Sequence, residues 1–316
     1  MNIESLKGRS LLTWLDFSAE EIRLLLDLAK QLKLEKQGGK IYQRWVGKTL
    51  ALLFEKRSTR TRCSFETSFG EEGGHPVFLS MQDIQLGGKE TIEDTARVLG
   101  RMFSAIEFRG FKQSTVETLA KYSGVPVFNG LTDDYHPTQA LCDIMTLEEF
   151  CCKGGETCKG KKLVYSGDGR NNVANSLMVI SAKLGAHFTV ISPSELAPDS
   201  KIVDTCTRLA AESGASITVT SDLNAAEGAD ALYTDVWTSM GEEAKHDERV
   251  RLLKPYQVNS SLMAKTGKSD TIFLHCLPAV RGEEVTAEII DGPASHVFDQ
   301  AENRKYTIKA IMLAMI

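Results

Sequence analysis

Thr49-Leu50-Ala51-Leu52-Leu53-Phe54-Glu55-Lys56-Arg57-Ser58-Thr59-Arg60-Thr61-Arg62 is the stretch whose reading decides the fold. Its first six residues form an apolar run suited to a strand, a polar turn follows, and a helical stretch begins near Ser58. The unit of strand, loop and helix then recurs. Ala105 to Phe108 reads as a strand ahead of a Ser114/Glu117 capping box, and Val125 to Phe128 as another ahead of a helix opened by Pro137. Upstream, the capping box Ser18/Glu21 precedes Ile22, Leu25, Leu26, Ala29 and Leu32 at helical spacing. Downstream, the periodicity lapses between Phe150 and Gly160, the best boundary between domains. A second series follows, with strands expected at Lys162 to Ser166, His187 to Ile191, Ser216 to Val219, Ala231 to Val236 and Thr271 to His275. Strands alternating with helices predict an α/β fold of two doubly wound domains, residues 1–150 and 151–301, each a parallel sheet flanked by helices. Ile308, Ile311, Met312 and Met315 mark a last helix that must bury one face.

Composition agrees with this plan and narrows the function. At roughly 150 residues per domain, 316 residues suggest about two domains. With 42% hydrophobic and 25% charged residues, wholesale disorder is excluded. Thirty-seven Lys and Arg against 42 Asp and Glu give a net charge of −5, so no global basic field draws nucleic acid or an anionic membrane. Any anion must be caught locally. No apolar run approaches the roughly 18 residues that span a bilayer, and no leader-like stretch opens the sequence, so a cytoplasmic protein is expected. The seven cysteines are odd in number and scattered, which reads as reduced thiols; Cys151, Cys152 and Cys158 lack the second paired cluster of a zinc site.

Ligands of open α/β sheets bind beyond the carboxyl ends of the strands, so the polar residues there are the candidates. Ser58-Thr59-Arg60-Thr61-Arg62 places two guanidiniums and three hydroxyls at the start of a helix, where free backbone N–H groups and the positive dipole end favour an oxyanion. The Gly spacing and Lys of a Walker loop are absent. Arg109 and His136-Pro137-Thr138-Gln139 come after the next strands and face the same crevice. In the second half, Gly167-Asp168-Gly169 and Asn171-Asn172 occupy a strand-to-helix turn, with Asn172 where a dinucleotide fold places its third Gly. A carboxamide there suggests a polar small-molecule contact. Asp235 ends one strand and Cys276 comes just after another; a carboxylate and a thiol facing an oxyanion pocket suit the binding and activation of an amine.

Taken together, Phe54 to Arg62, His136-Pro137-Thr138-Gln139, Asp235-Val236-Trp237-Thr238-Ser239-Met240-Gly241, His275-Cys276-Leu277-Pro278 and Ala301-Glu302-Asn303-Arg304 closely resemble the ornithine carbamoyltransferases, in order over nearly the whole chain. The resemblance implies a first domain that binds carbamoyl phosphate, a second that binds L-ornithine, an active site in the interdomain cleft, and a terminal helix, residues 302–316, returning to the first domain. By motif, Ser58, Thr59, Arg60, Thr61, Arg62, Arg109, His136, Gln139, Cys276, Leu277 and Arg304 would contact carbamoyl phosphate. Asn172, Asp235, Ser239 and Met240 would hold ornithine. Gln85 resembles the residue by which one subunit completes its neighbour's site, and a homotrimer or a multiple of it is implied.

The implied reaction is attack by the ornithine δ-amine on the carbonyl carbon of carbamoyl phosphate, giving citrulline and phosphate, a step of arginine metabolism that needs no metal or organic cofactor. Catalysis would rest on Asp235 and Cys276 at the amine and on Arg109 and His136, with Thr61, at the carbonyl oxygen. Three other readings compete: an acceptor such as putrescine or an N-acylated ornithine, a nicotinamide-dependent oxidoreductase built on the Gly167 to Asn172 turn, and a non-catalytic carbamoyltransferase-like binding subunit. The retained Asp235 and Cys276 argue against the last.

Overall fold

The computed structural model describes residues 3–82, 84, 90–238 and 241–316. The chain divides into two compact units, Met1–Leu141 with Glu302–Ile316, and Cys142–Ala301. The division between them falls inside two helices, the first time within Pro137–Cys151 and the second within Val297–Met315. Side chains past Leu141 already belong to the second unit, where Asp143 Oδ1 accepts from Gln300 Nε2 at 2.6 Å.

The first unit is a four-stranded parallel sheet in the order β2-β1-β3-β4, with β1 at Thr49–Phe54, β2 at His75–Ser80, β3 at Ala105–Arg109 and β4 at Val127–Leu131. Strands β3 and β4 are buried along their whole length, as is β1 after Thr49; β1 is apolar after Thr49, while β3 and β4 also bury Glu107, Arg109 and Asn129. Helices α1 (Ala19–Gln37), α2 (Thr59–Gly70), α3 (Ile92–Met102) and α4 (Gln113–Ser123) belong to this unit, α3 packing on α4, and Ala96, Leu99, Val116 and Leu119 fill the core against Ala51, Leu53 and Phe108. The free edge of β4 is covered by the N-terminal segment, Leu11 N donating to Val127 O and Asn129 N to Leu11 O.

Local signals and structure agree only in part. Strand β2 and helix α3 carry no clear sequence signal; β2 is a half-buried edge strand beginning His75-Pro76, and a missing N–H is tolerated at an edge. The Ser114/Glu117 box is not used: α4 begins at Gln113, Lys112 is its cap without a side-chain bond, and Gln113 Oε1 accepts instead from Asn129 and Thr132. The Ser18/Glu21 box is present as read, opening α1.

The second unit is a five-stranded parallel sheet, order β7-β6-β5-β8-β9, from β5 (Lys162–Ser166), β6 (His187–Ile191), β7 (Ile217–Thr220), β8 (Ala231–Thr234) and β9 (Ile272–His275). Helix α5 (Pro137–Cys151) leads into it, α6 (Asn172–Leu184) packs on α7 (Ser200–Ser213), and α8 (His246–Leu253), α9 (Ser260–Lys265) and α10 (Ala287–Ile290) complete it. Helix α11 (Val297–Met315) ends the chain, and Ile308, Ile311, Met312 and Met315 are fully buried.

Chain order turns both sheets into sites. In the first, the chain winds from β1 to β2 on one side and then returns past β1 to β3 on the other, so the switch point lies between the ends of β1 and β3. In the second it lies between the ends of β5 and β8. Crevices open at such points, and they are where Ser58 to Arg62 with Arg109, and Gly167 to Asn172 with Asp235, stand.

Candidate active site

In the first unit Ser58 caps α2, its Oγ accepting from Thr61 N at 3.1 Å, which fixes Thr61 in the first turn of the helix. The Thr61 hydroxyl is fully buried, and two guanidiniums converge on its oxygen: Arg304 Nη2 donates at 2.9 Å and Arg109 Nη1 at 3.4 Å. Arg304 Nη1 also donates to Gln139 Oε1 at 2.8 Å. Arg109, His136, Gln139 and Arg304 are all buried, and the two guanidiniums among them put positive charge away from water, which suits an oxyanion.

Burial holds His136 well below the usual imidazole pKa, and the Arg304, Arg109 and Arg60 charges push the same way, so the ring is neutral. His136 Nε2 lies 3.4 Å from Arg304 Nη1, and its Nδ1 3.4 Å from Thr138 Oγ1.

The structure does not bring every residue of the Ser58 to Arg62 run inward. Thr59 is exposed, and Arg62 is committed to Glu66 at 2.9 Å and to the face of Phe78 at 3.6 Å. Arg60 is half-buried, its charge felt at His136. Gln85, Ser239 and Met240 lie outside the described residues.

The second unit holds a complementary, acidic cluster. Asp235, directly after β8, is mostly buried; its Oδ2 accepts from Asn171 Nδ2 at 2.9 Å and its Oδ1 from Val236 N at 2.8 Å and Cys276 Sγ at 3.1 Å. Asn171 spends its Oδ1 on Val173 N at 2.7 Å, so one carboxamide both caps α6 and orients Asp235. The carboxamide that meets Asp235 is thus Asn171, passed over as a binding residue in the sequence; Asn172 is the first residue of α6.

The Cys276 loop is braced from below. Leu277 has φ +58°, uncommon for a residue with a side chain, and its N–H donates to His275 Nδ1 at 2.8 Å. Nδ1 is therefore an acceptor, and Nε2 carries the proton toward Glu284 Oε1 at 3.3 Å, an oxygen that also takes Val280 N. Asp235, His275 and Cys276 offer donor atoms within 4.8 Å of one another, a spacing that invites a metal reading. Both ring nitrogens of His275 are already spent, so the trio reads as a hydrogen-bonded acceptor pocket. Beneath it lies Tyr165, fully buried, its hydroxyl without a hydrogen-bond partner among the described residues. Nothing in a strand sequence announces such a group.

The turn of a nicotinamide site is not reproduced. Asp168 sits at the α6 terminus, ion-paired with Arg170 and Arg249, where a carboxylate would repel a pyrophosphate. Gly169 is needed for packing, since a Cβ there would stand 2.9 Å from Leu196 O. The seven cysteines are free thiols, with Cys151 and Cys206 pushed up to about 12 by burial.

Comparison with known proteins agrees with both halves. Residues 9–149 match the carbamoyl-P binding domain of the aspartate/ornithine carbamoyltransferases, and residues 159–315 match their Asp/Orn binding domain. The chain is 64% identical to an ornithine carbamoyltransferase of Caldanaerobacter subterraneus, covering 99% of both chains, and 54% identical to a catabolic ornithine carbamoyltransferase of Bacillus licheniformis, covering 99% of this chain and 97% of that one. Its fold matches the ornithine carbamoyltransferase of Pyrococcus furiosus with a TM-score of 0.94 at 49% identity, over 98% of this chain and 97% of that one. By sequence, by fold and by the residues at both switch points, the chain belongs to the aspartate/ornithine carbamoyltransferase family, among its ornithine carbamoyltransferases.

Proposed function

We propose that the enzyme transfers the carbamoyl group of carbamoyl phosphate to the δ-amine of L-ornithine, with the first unit holding the donor and the second the acceptor. The observation that carries the reading is the convergence of Arg304 and Arg109 on the buried Thr61 hydroxyl beside a neutral His136. A dianionic phosphate is the natural counter-charge of two guanidiniums and a helix N-terminus.

The δ-nitrogen lone pair forms a bond to the carbonyl carbon, the carbonyl oxygen takes negative charge, and collapse breaks the bond to the phosphate oxygen. One proton leaves the attacking nitrogen, and citrulline and phosphate result. The first obstacle is that an alkylammonium has a pKa of about 10.4, so the amine must shed a proton to attack. Asp235, held by Asn171 and Cys276, is the acidic group that attracts the acceptor's ammonium, and Cys276 Sγ beside it orients the amine. The second is the charge on the carbonyl oxygen and departing phosphate. Arg109 and the Thr61 hydroxyl serve the oxygen, while Arg60, Arg109, Arg304 and the α2 terminus serve the phosphate; each such fixed donor is typically worth about 10² to 10³ in rate.

The finer proposals are a homotrimeric assembly in which Gln85 completes a neighbour's site, a cytoplasmic location and a place in arginine biosynthesis. The family resemblance supports the first. For the second, no helix among the described residues is long and apolar enough to cross a membrane. Light scattering of the purified protein at three times the chain mass supports the trimer, and a monomer overturns it. Transfer from carbamoyl phosphate to ornithine, putrescine, N-acetylornithine, lysine and aspartate tests the activity. Strong preference for ornithine is expected. Preference for another amine would overturn the acceptor half, and no transfer to any would favour a binding subunit.

A further inference from the structure

Glu107 stands two residues before Arg109 on β3, so the two side chains leave the same face of the sheet. It is completely buried, and neither carboxyl oxygen has a hydrogen-bond partner among the described residues. Buried carboxyls are ordinarily bonded or paired, so this one calls for a reason. Its surroundings give one. The β3–β4 register slips after Phe108, leaving Gly130 as the extra residue of β4, and a Cβ on Gly130 would overlap Glu107 Oε1 while standing 3.2 Å from Thr61 Cγ2. The carboxyl therefore lies beside the first turn of α2, next to the Thr61 whose hydroxyl Arg109 and Arg304 share, with room that only a glycine leaves.

The charges acting on it are Arg109 from its own strand and Arg304 from α11, and both favour the carboxylate. Burial opposes them and wins, holding the carboxyl well above the usual range. His136, the other titratable group there, answers to the same two guanidiniums and to Arg60, and is neutral. Two guanidiniums facing a dianion leave no positive charge for a third anion. We propose that Glu107 is the charge-balancing residue of the donor half-site: wherever the pH is high enough to ionise it in the empty site it shares the potential of Arg109 and Arg304, and it takes a proton from solvent once a phosphate dianion claims both. It acts through the arginines, as a positioning residue. The inference rests on the reading of this half-site as a phosphate site.

Calorimetric titration of the full chain with inorganic phosphate, in buffers of different ionisation enthalpy and over a pH series, tests it in wild type and Glu107→Gln. Subtracting the variant removes the ligand's own titration. At the upper end of the series, where the empty site is ionised, wild type is expected to take up more protons than Glu107→Gln, by as much as one, and its affinity to fall more steeply with rising pH, by up to about tenfold per unit. Infrared difference spectra of wild type alone should gain a protonated-carboxyl band with phosphate, which decides the matter even should the variant not fold. Equal proton uptake and equal pH slopes in the two proteins, or no carboxyl change in wild type, would overturn the inference, because a merely structural Glu107 would alter stability alone. Absence of any phosphate binding to wild type would bring down the donor half-site and this inference with it.

Discussion

Arg109 ends a strand buried along its whole length, with a guanidinium directed at the Thr61 hydroxyl, and the proposed chemistry asks it to serve both the phosphate and the carbonyl oxygen. Arg109→Ala is expected to cut turnover by at least about two orders of magnitude while the protein keeps its circular dichroism and melting cooperativity; near-normal turnover in a folded variant would remove Arg109 from the mechanism. Asn171 has two tasks that can be separated. Asn171→Ala loses a helix cap, about 1 kcal/mol of stability, and also frees Asp235. Asn171→Ser keeps a capping oxygen but is too short to reach Asp235, so a smaller loss of stability than in Asn171→Ala, with a similarly raised KM for ornithine, is expected from steady-state kinetics. His136 is depressed in the native state and free to protonate in the unfolded chain. The unfolded state then binds more protons below the ordinary value of 6.5, so the stability from a neutral His136 is present above that pH and lost as pH falls below it. Urea midpoints tracked downward from about pH 7 should fall less steeply in His136→Gln than in wild type; parallel slopes would mean that the native ring is not held neutral.

At the scale of elements, α11 joins stability to function. It carries Arg304 on one turn and four fully buried side chains, Ile308, Ile311, Met312 and Met315, on the later ones. At roughly 1.5–3 kcal/mol for each side chain, their loss rivals the whole stability of a typical domain. A chain ending at Ala301 should therefore bind hydrophobic dye and lack a cooperative melt; a soluble, cooperatively melting truncation would show the helix to be dispensable. The same arithmetic explains what was legible. β1, β5, β6 and the α11 stripe could be read because burial on both faces, or along one stripe, favours apolar residues, and β3 could be read from Ala105, Ile106 and Phe108 despite Glu107. β2 could not, because an edge strand that starts His75-Pro76 and stays half-buried has no such pattern. The Ser114/Glu117 box misled because α4 starts at Gln113, placing Ser114 inside the first turn, where its carbonyl accepts from Thr118 Oγ1.

For the whole molecule, strand order is what the sequence could not supply and what matters most. Periodicity finds the strands, but only the windings β2-β1-β3-β4 and β7-β6-β5-β8-β9 put the polar strand ends at switch points. Arg109, His136, Asp235 and Cys276 are legible because each stands at or just beyond the carboxyl end of a strand. Arg304, far along the chain on a helix, is reached through resemblance alone, and Asn171 and Glu107 by neither route: one stands beside the expected carboxamide, and the other is a mid-strand carboxyl with no local signature. In the proposed reaction the two units divide the chemistry, a cationic half for the leaving phosphate and an acidic half for the amine, and the central claim is that they act on one pair of substrates. Incubation with carbonyl-13C carbamoyl phosphate and L-ornithine, monitored by NMR, measures this directly. The account predicts that label appears in the ureido carbon of citrulline in a one-to-one ratio with released phosphate; phosphate released faster than citrulline forms, with the label passing to bicarbonate, would contradict it.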